Sequence, residues 1–435
     1  MVVLALRKFI IPGWIVRSSL QHMLQCRCAQ VAACWLALAS CAFADSGGAG
    51  VFSFSAFGTF GAVHSSDERA DFTTSVLNPS GAGFTHAWST NVDSRLGGQV
   101  IARMTPQLSV IVQVISEQLY DNTYRPHVEW ANLEYQPLPE LSLRIGRIVL
   151  PTFMFADTRK VGYAIPWVRP PVELYNSVPV TISDGVDVSY VAHLGEVANR
   201  LIATFGQVDV RLPPDPGGSV YARDIWLLSD SVEYGAATVR VVYQSVHLRA
   251  PALEGLFDAL REFGPQGRAL ADRYDPSGKR ARLASLGAQY DPGHWFVMGE
   301  WGTHDFHSVF GKTTAWYVGA GYRWRSFTPY LIYSQVNAAS NTSDPGLTVS
   351  EYPAGAAPSV IGLNAGLNAF LGSVASQKTV SIGARWDVAR NIDLKLQYDR
   401  LRTGSGSAGT LINVQPDFRR GSGLNLISAT IDFVL

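Results

Sequence analysis

The chain has 435 residues, with 35 Lys+Arg balanced by 35 Asp+Glu, and 47% of its residues are apolar while only 16% are charged, against roughly 25% charged in an average soluble domain. With no basic excess to neutralise phosphates, composition gives nucleic-acid binding no support. Gly 40, Trp 11, Tyr 17 and Phe 20 are the reverse of a disordered composition, so the chain should fold.

The first predicted element is a leader. Arg7, Lys8, Arg17 and Arg27 precede residue 45, and no Asp or Glu does. After Arg27 comes the apolar run Val31 to Ala39, and Ala42-Phe43-Ala44 supplies small residues for cleavage before Asp45, the layout of a secretory signal. Residues 1–44 therefore read as an export signal, with Met23 as an alternative start, and 45–435 as the mature domain. Leu38-Ala39-Ser40-Cys41 also resembles a lipoprotein lipobox, in which Cys41 would be lipidated. The apolar core is too short for a spanning helix, which needs about 20 residues. All four cysteines, Cys26, Cys28, Cys34 and Cys41, lie in the leader, so disulfides and thiolate metal sites drop out of a mature chain. Taking the four leader cations from 35 leaves 31 basic against 35 acidic residues, a net of −4.

Past residue 45 apolar and polar residues alternate in segments of about ten, the length of a tilted strand crossing a bilayer. Strands are expected near 52–64, 88–104, 108–118, 127–136, 141–149, 182–192, 200–210, 221–231, 236–248, 279–291, 294–304, 312–325, 327–337, 376–387, 391–402 and 423–435, about sixteen in all. Pro329 and the run Ile225 to Leu228 blur the alternation in two of them. In 379–387, Val380, Ile382, Ala384 and Trp386 oppose Thr379, Ser381, Arg385 and Asp387; in the next segment Ile392, Leu394, Leu396 and Tyr398 oppose Asp393, Lys395, Gln397 and Asp399. A soluble sandwich also alternates, but here the apolar faces end in aromatics and the opposite faces carry charge at mid-strand, as in a transmembrane barrel.

Short turns at 105–107, 137–140, 291–293 and near Ser326 alternate with long links at 65–87, 150–181, 249–278, 338–375 and 403–422, while 193–199 and 305–311 are intermediate. Residues 252–263 carry Leu253, Leu256, Phe257, Leu260 and Phe263 at helical spacing. The uncharged stretch near 352–377 imitates a helix, but Pro353, Pro358, two Asn and many Gly argue for a loop. Ile427, Ala429, Ile431, Phe433 and Leu435 share one face, so the chain ends on an apolar, lipid-facing residue. In hydrocarbon every backbone polar group must be paired, and a sheet achieves that only without an edge, so the strands should close into a barrel. Sixteen strands leave room for an aqueous channel.

This order of elements, with the stretch from Ile145-Gly146-Arg147 through Val161-Gly162-Tyr163-Ala164 to Pro166-Trp167-Val168-Arg169-Pro170-Pro171, resembles the porin superfamily of Gram-negative outer membranes and its porin-like proteobacterial members. The resemblance covers the whole mature chain. It implies an all-β antiparallel transmembrane barrel with short periplasmic turns, delivered by the outer-membrane assembly machinery, surrounded by outer-membrane lipids and assembled as a homotrimer. It also implies that the third outside link, Leu150 to Thr181, folds inward and narrows the pore. Prolines at 151, 166, 170, 171 and 179 stiffen that link.

The link carries Asp157, Arg159, Lys160, Arg169 and Glu173, and by parity it faces wall residues Arg95, Arg103, Arg144, Arg323, Arg385 and Lys395. Opposed charges across a narrow passage orient polar solutes and penalise apolar ones. The basic majority hints at anion preference; Asp187, Glu300, Asp387, Asp393 and Asp399 are acidic candidates for the same lumen. The expected function is passive diffusion of small hydrophilic solutes or ions, with no cofactor and no catalytic residue. Gly311-Lys312-Thr313 fails as a phosphate loop because Phe306 stands where glycine is needed. His294, His304, Asp305 and His307 match no metal-ligand spacing, and no G-x-S-x-G elbow occurs. A barrel enzyme of lipase or protease type, and a non-conducting structural or adhesive surface barrel, remain as alternatives.

Overall fold

The computed structural model describes residues 51–213 and 217–435; the expected export signal, the start at Met23 and Cys41 lie outside them. The chain divides into a unit ending at Phe54 and a unit from Ser55 to Leu435, which carries the barrel. Sixteen strands form its wall: β1 (Phe52–Ser65), β2 (Arg95–Thr105), β3 (Leu108–Glu117), β4 (His127–Leu138), β5 (Leu141–Val149), β6 (Ile182–Leu194), β7 (Val197–Arg211), β8 (Ser219–Tyr234), β9 (Ala237–Arg249), β10 (Arg280–Tyr290), β11 (Trp295–Asp305), β12 (Lys312–Tyr322), β13 (Phe327–Ala338), β14 (Gln377–Ala389), β15 (Ile392–Thr403) and β16 (Gly423–Val434). Each pairs with its neighbours in the chain, and β1 pairs with β16 from Phe57↔Val434 to Ser65↔Leu426, so the sheet is closed and antiparallel.

Short turns join strands at one end, where positive φ is met by Gly235 at 56°, Gly293 at 104° and Asn391 at 65°, residues that tolerate the left-handed region. Both barrel termini lie at this end. The burial pattern is the reverse of a soluble protein: on β15 Leu396 is 60% exposed and faces outward, whereas its neighbour Lys395 is 2% exposed and faces inward. No helix among the described residues is long and apolar enough to cross a membrane. Pro329 is accommodated within β13 opposite Ala384, with its ring on the outer face. β2 begins at Arg95 rather than near 88, because residues 71–72 and 82–83 form a small pair inside the preceding loop and 88–89 bridges to β1.

Among the described residues, four α-helices occupy the long-loop end and the interior. α1 (Val172–Tyr175) belongs to the loop between β5 and β6. α2 (Pro251–Glu262), which matches the expected amphipathic stretch, α3 (Gly264–Tyr274) and α4 (Ala357–Leu371) share one apolar cluster that includes Phe257, Leu260, Leu270, Val360 and Leu367. α4 corrects the sequence reading of 352–377 as loop. Pro358 falls in its first turn, where a missing N–H costs nothing. The two asparagines are not loop formers. Asn364 accepts from Leu347 N at 2.7 Å, and Asn368, one turn later, accepts from Asp344 N at 2.8 Å, so both clamp the loop to the helix.

Asp275 closes α3 by accepting from Ser277 N at 2.8 Å and from Arg261 Nη2 at 2.5 Å. Burial pushes its carboxyl up, but the Ser277 N–H and Arg261 outweigh this and hold it below the usual carboxylate value. A depressed carboxylate stabilises above its unfolded pKa, and that contribution fades as pH falls through the folded value. Acidification below about pH 4 is therefore expected to loosen α2 and α3. Hydrogen exchange should rise across 251–274 while barrel amides stay protected; unchanged exchange at acid pH would count against this role for Asp275.

Candidate functional site

The loop from Leu150 to Thr181 lies against the inner face of β10 to β16, held by anchors of three kinds. The first is apolar. Trp167, fully buried, packs with Phe296, Tyr317 and Tyr330 at ring-centroid distances of 5.9, 6.3 and 6.0 Å. The wall makes space by omitting side chains: a Cβ on Gly319 would stand 2.8 Å from the Trp167 ring, one on Gly302 3.0 Å from Leu174 Cδ1, and one on Gly287 2.9 Å from Met154 Sδ. These inward-facing glycines on β10, β11 and β12 form a shallow bed for the loop.

Buried carboxylates form the second kind. Glu173 on α1 accepts from Ser334 Oγ at 2.7 Å, from Gln377 Nε2 at 2.6 Å and from Thr379 Oγ1. Glu300 of β11 reaches back to the loop, accepting from Met154 N at 2.7 Å and Tyr175 Oη at 2.5 Å, with Tyr317 Oη at 2.8 Å. Burial and the Glu300 charge push the Tyr175 phenol well above its ordinary value, which keeps it a donor.

Buried cations form the third kind. Arg169 makes a two-pronged bond to Asp93 at 2.9 and 2.6 Å, reaches Ser428 Oγ at 2.7 Å and lies 3.5 Å from Asp399. Burial pulls this guanidinium down, but Asp93 and Asp399 more than compensate, and its pKa is raised. Lys395 Nζ donates to Gly162 O at 2.7 Å and pairs with Asp432 at 3.0 Å, while Arg385 Nη1 donates to Tyr163 O at 2.6 Å and Arg385 Nη2 pairs with Asp393 at 3.1 Å.

The opposite wall, β2 to β7, is left facing the loop across a half-open space of about 290 Å³ lined by Arg95, Glu117, Tyr120, Arg159, Lys160 and Arg211 among others. Here the loop's Lys160 is bonded to Glu117. Glu129 accepts from Thr181 Oγ1 at 2.7 Å and lies 3.4 Å from His127 Nε2. Arg95 Nη1 donates to Arg159 O at 3.1 Å, and the Arg159 guanidinium lies 5.7 Å from the Tyr175 ring centroid. Among the described residues, neither Arg95 nor Arg159 has a carboxylate within 4.0 Å. Glu117, His127 and Glu129 present donor atoms within 4.8 Å of one another and are the one such group among the described residues. Lys160 and Thr181 already engage both carboxylates, so the chain meets that negative charge from within.

The structure thus sorts the sequence candidates by place. Arg95, Arg159 and Lys160 come together at the half-open space. Asp157 is exposed, and Arg144 pairs with Asp187 at 2.8 Å on the uncovered wall. Arg169 and Glu173 of the loop, and Arg385 and Lys395 of the wall beneath it, fasten the two together. Arg103 is near the short-turn end, and Arg323 pairs there with Asp291 at 2.6 Å. His304 is buried with Nε2 3.3 Å from Ser177 Oγ, while His307 pairs with Asp305 at 3.0 Å, so the two histidines do not converge. Sequence reasoning missed Trp167, Glu117, His127, Glu129 and Arg211. The i, i+2 spacing of His127 and Glu129 places them on one face and could have flagged that pair.

No family model matches the sequence, and no curated protein matches it either. Among solved structures, the chain is similar to OmpF of Salmonella typhi in complex with daunomycin, at TM-score 0.51 and 11% identity over 88% of this chain and 97% of that one. It is equally similar to the outer membrane channel DcaP of Acinetobacter baumannii, with TM-score 0.51, 11% identity, 88% of this chain and 97% of that chain. The likeness is one of fold: the chain has the closed sixteen-strand barrel of the outer-membrane porins.

Proposed function

We propose that this protein is an outer-membrane porin, a water-filled channel through which small hydrophilic solutes move down their own gradients. The observation that carries the reading is the loop 150–181, fastened along its length to one half of the interior of a barrel whose outer face is apolar. Loop and wall together leave a passage narrower than the barrel. Arg95 and Arg159, without carboxylate partners, set a positive potential at the passage, so anions are the favoured ions. Fixed anchoring makes the constriction permanent. A leader processed at Ala44 and assembly as a homotrimer belong to the same proposal.

Stepwise conductance after reconstitution in a planar bilayer tests the reading, and a water-soluble, non-conducting product would overturn it. Charge preference is read from the reversal potential in a salt gradient. The Arg95→Gln, Arg159→Gln pair is expected to move that potential toward cations by removing two positive charges from the lining of the passage, with little change in stability. An unchanged reversal potential would show that selectivity is set elsewhere on the wall.

A further inference from the structure

Beside the passage, two carboxylates share a single fixed cation. Glu117 ends β3 and His127 opens β4, so strand pairing brings both to the long-loop end of the wall. The pairing of these strands skips a residue: Gln113 stands opposite Trp130 and Val114 opposite Val128, which leaves Glu129 without a ladder partner. Bulges of this kind re-aim a side chain and gather at functional sites. Here the re-aimed residue is a carboxylate only 4% exposed, and acids buried that deeply are ordinarily paired. Glu129 Oε1 accepts from Thr181 Oγ1 at 2.7 Å, and Oε2 faces His127 Nε2 at 3.4 Å. Among the described residues, no Lys or Arg nitrogen lies within 4.0 Å of the Glu129 carboxylate. The fixed cation is Lys160 of the inward loop, and it is bonded to Glu117.

The spacing of these groups suits a metal ion better than an ammonium. One donor atom from each of Glu117, His127 and Glu129 lies within 4.8 Å of the others, and His127 Nε2 is 3.9 Å from Glu117 Oε1. Zinc, bonded to nitrogen and oxygen at about 2.0–2.2 Å, sets its ligands about 3.3–3.5 Å apart around a tetrahedron. The edge between Nε2 and Glu129 Oε2 is therefore already formed, and the edge to Glu117 needs a shift of about half an ångström. Glu117 and Glu129 both line the half-open space, so an ion can enter from water and keep a water ligand in the fourth position. Arg95 and Arg159 border the same space and weaken the site, but Arg95 Nη1 is turned to Arg159 O at 3.1 Å. Imidazole among the donors favours zinc over calcium and magnesium, which take sets of oxygens.

We infer that Glu117, His127 and Glu129 form a zinc site for which Lys160 is the built-in competitor. The ion displaces the ammonium from Glu117 and supplies Glu129 with the charge it lacks. Binding stands on this geometry alone; its effect on current rests on the channel reading proposed above. There, occupancy adds two positive charges to the lining and releases Lys160 into the passage, so anion preference rises.

The test is calorimetric titration of the full barrel in detergent with zinc chloride, with calcium chloride as the comparison arm. Wild type is expected to bind zinc at least about tenfold more tightly than calcium. His127→Gln removes a ligand and is expected to weaken zinc binding by about a hundredfold. Lys160→Gln removes the competitor and is expected to strengthen it by about tenfold. Changes of opposite sign within one cluster do not come from general damage to the fold. His307→Gln, which alters the separate pair with Asp305, is expected to leave this affinity unchanged. Calcium bound as tightly as zinc, undiminished zinc binding by His127→Gln, or no gain in Lys160→Gln would each overturn the site. Should His127→Gln lose its β-sheet spectrum, Lys160→Gln is decisive by itself. On the same preparations in a planar bilayer, zinc is expected to move the reversal potential further toward anions, and at about tenfold lower zinc in Lys160→Gln. An unmoved potential in a conducting, zinc-loaded channel would overturn the effect on current. A non-conducting barrel that binds zinc in the stated pattern would count against the channel reading and not against the site.

Discussion

Trp167→Ala is expected to lower the free energy that holds the inward loop against the wall by about 3–5 kcal/mol, the usual cost of deleting a large buried aromatic side chain. The ring is fully buried, and its Nε1 has no hydrogen-bond partner, so the loss is one of packing and not of a polar contact. Gly319→Val approaches the same interface from the other side. Its new Cβ would stand 2.8 Å from the ring, and overpacking of this kind costs about 1–3 kcal/mol. Neither change touches the barrel's backbone ladder, so both should leave the wall folded while the loop opens locally more often. The readouts are trypsin cleavage after Arg159 or Lys160 and the open-channel noise of single channels. In each variant both are expected to rise well above wild type. A loop that stayed protease-resistant, in a channel no noisier than before, would show that the polar anchors suffice and that the aromatic cluster is incidental.

The reason these residues escape a reading of sequence is distance along the chain. Period-two alternation in β14 and β15 survives in the sequence because one face meets lipid and the other does not, so each strand reveals its own two sides. Parity also identifies Arg385 and Lys395 as inward-facing. It carries no information about what lies over them, and the structure places the backbone carbonyls of Tyr163 and Gly162 there. The partners of Arg169 are 76 residues before it, at Asp93, and 259 after it, at Ser428. Glu173 is held by Thr379, 206 residues away. Nothing local marks a charge for burial when its counter-charge comes from another strand. α4 was obscured for a related reason: prolines and asparagines are judged by local preference, yet Pro358 sits in the first turn and the asparagines serve a tertiary clamp. By contrast, α2 was legible because its apolar stripe is local, running from Leu253 to the capping Phe263.

Arg169→Met is expected to destabilise the inward loop by about 3–5 kcal/mol, because it leaves two buried carboxylates without their cation. Asp93 and Asp399 are 2% and 3% exposed, so water cannot take over the solvation that the guanidinium provides. Methionine fills much of the volume of the arginine stem, which keeps the comparison electrostatic rather than one of cavity size. The same reasoning predicts a rescue. Adding Asp93→Asn and Asp399→Asn to the Met variant removes the uncompensated charges, and most of the lost stability should return, since a neutral buried cluster is often no worse than an ion pair. Arg144→Met and Arg147→Met supply the comparison. In the first, Asp187 is as buried as Asp93, so a comparable loss is expected at that pair. A smaller effect is expected for Arg147→Met, because Arg147 and Asp184 are 36% and 47% exposed and water reaches both partners. The measurement is the same protease susceptibility of the loop, scored against heat-induced loss of the barrel's β spectrum. If the triple variant remained as labile as Arg169→Met alone, the two-pronged geometry at Asp93 would have to matter for itself. Recovery would establish that Arg169 contributes chiefly by neutralising its two neighbours, and that the loop's position follows from charges that three separate parts of the chain bring together.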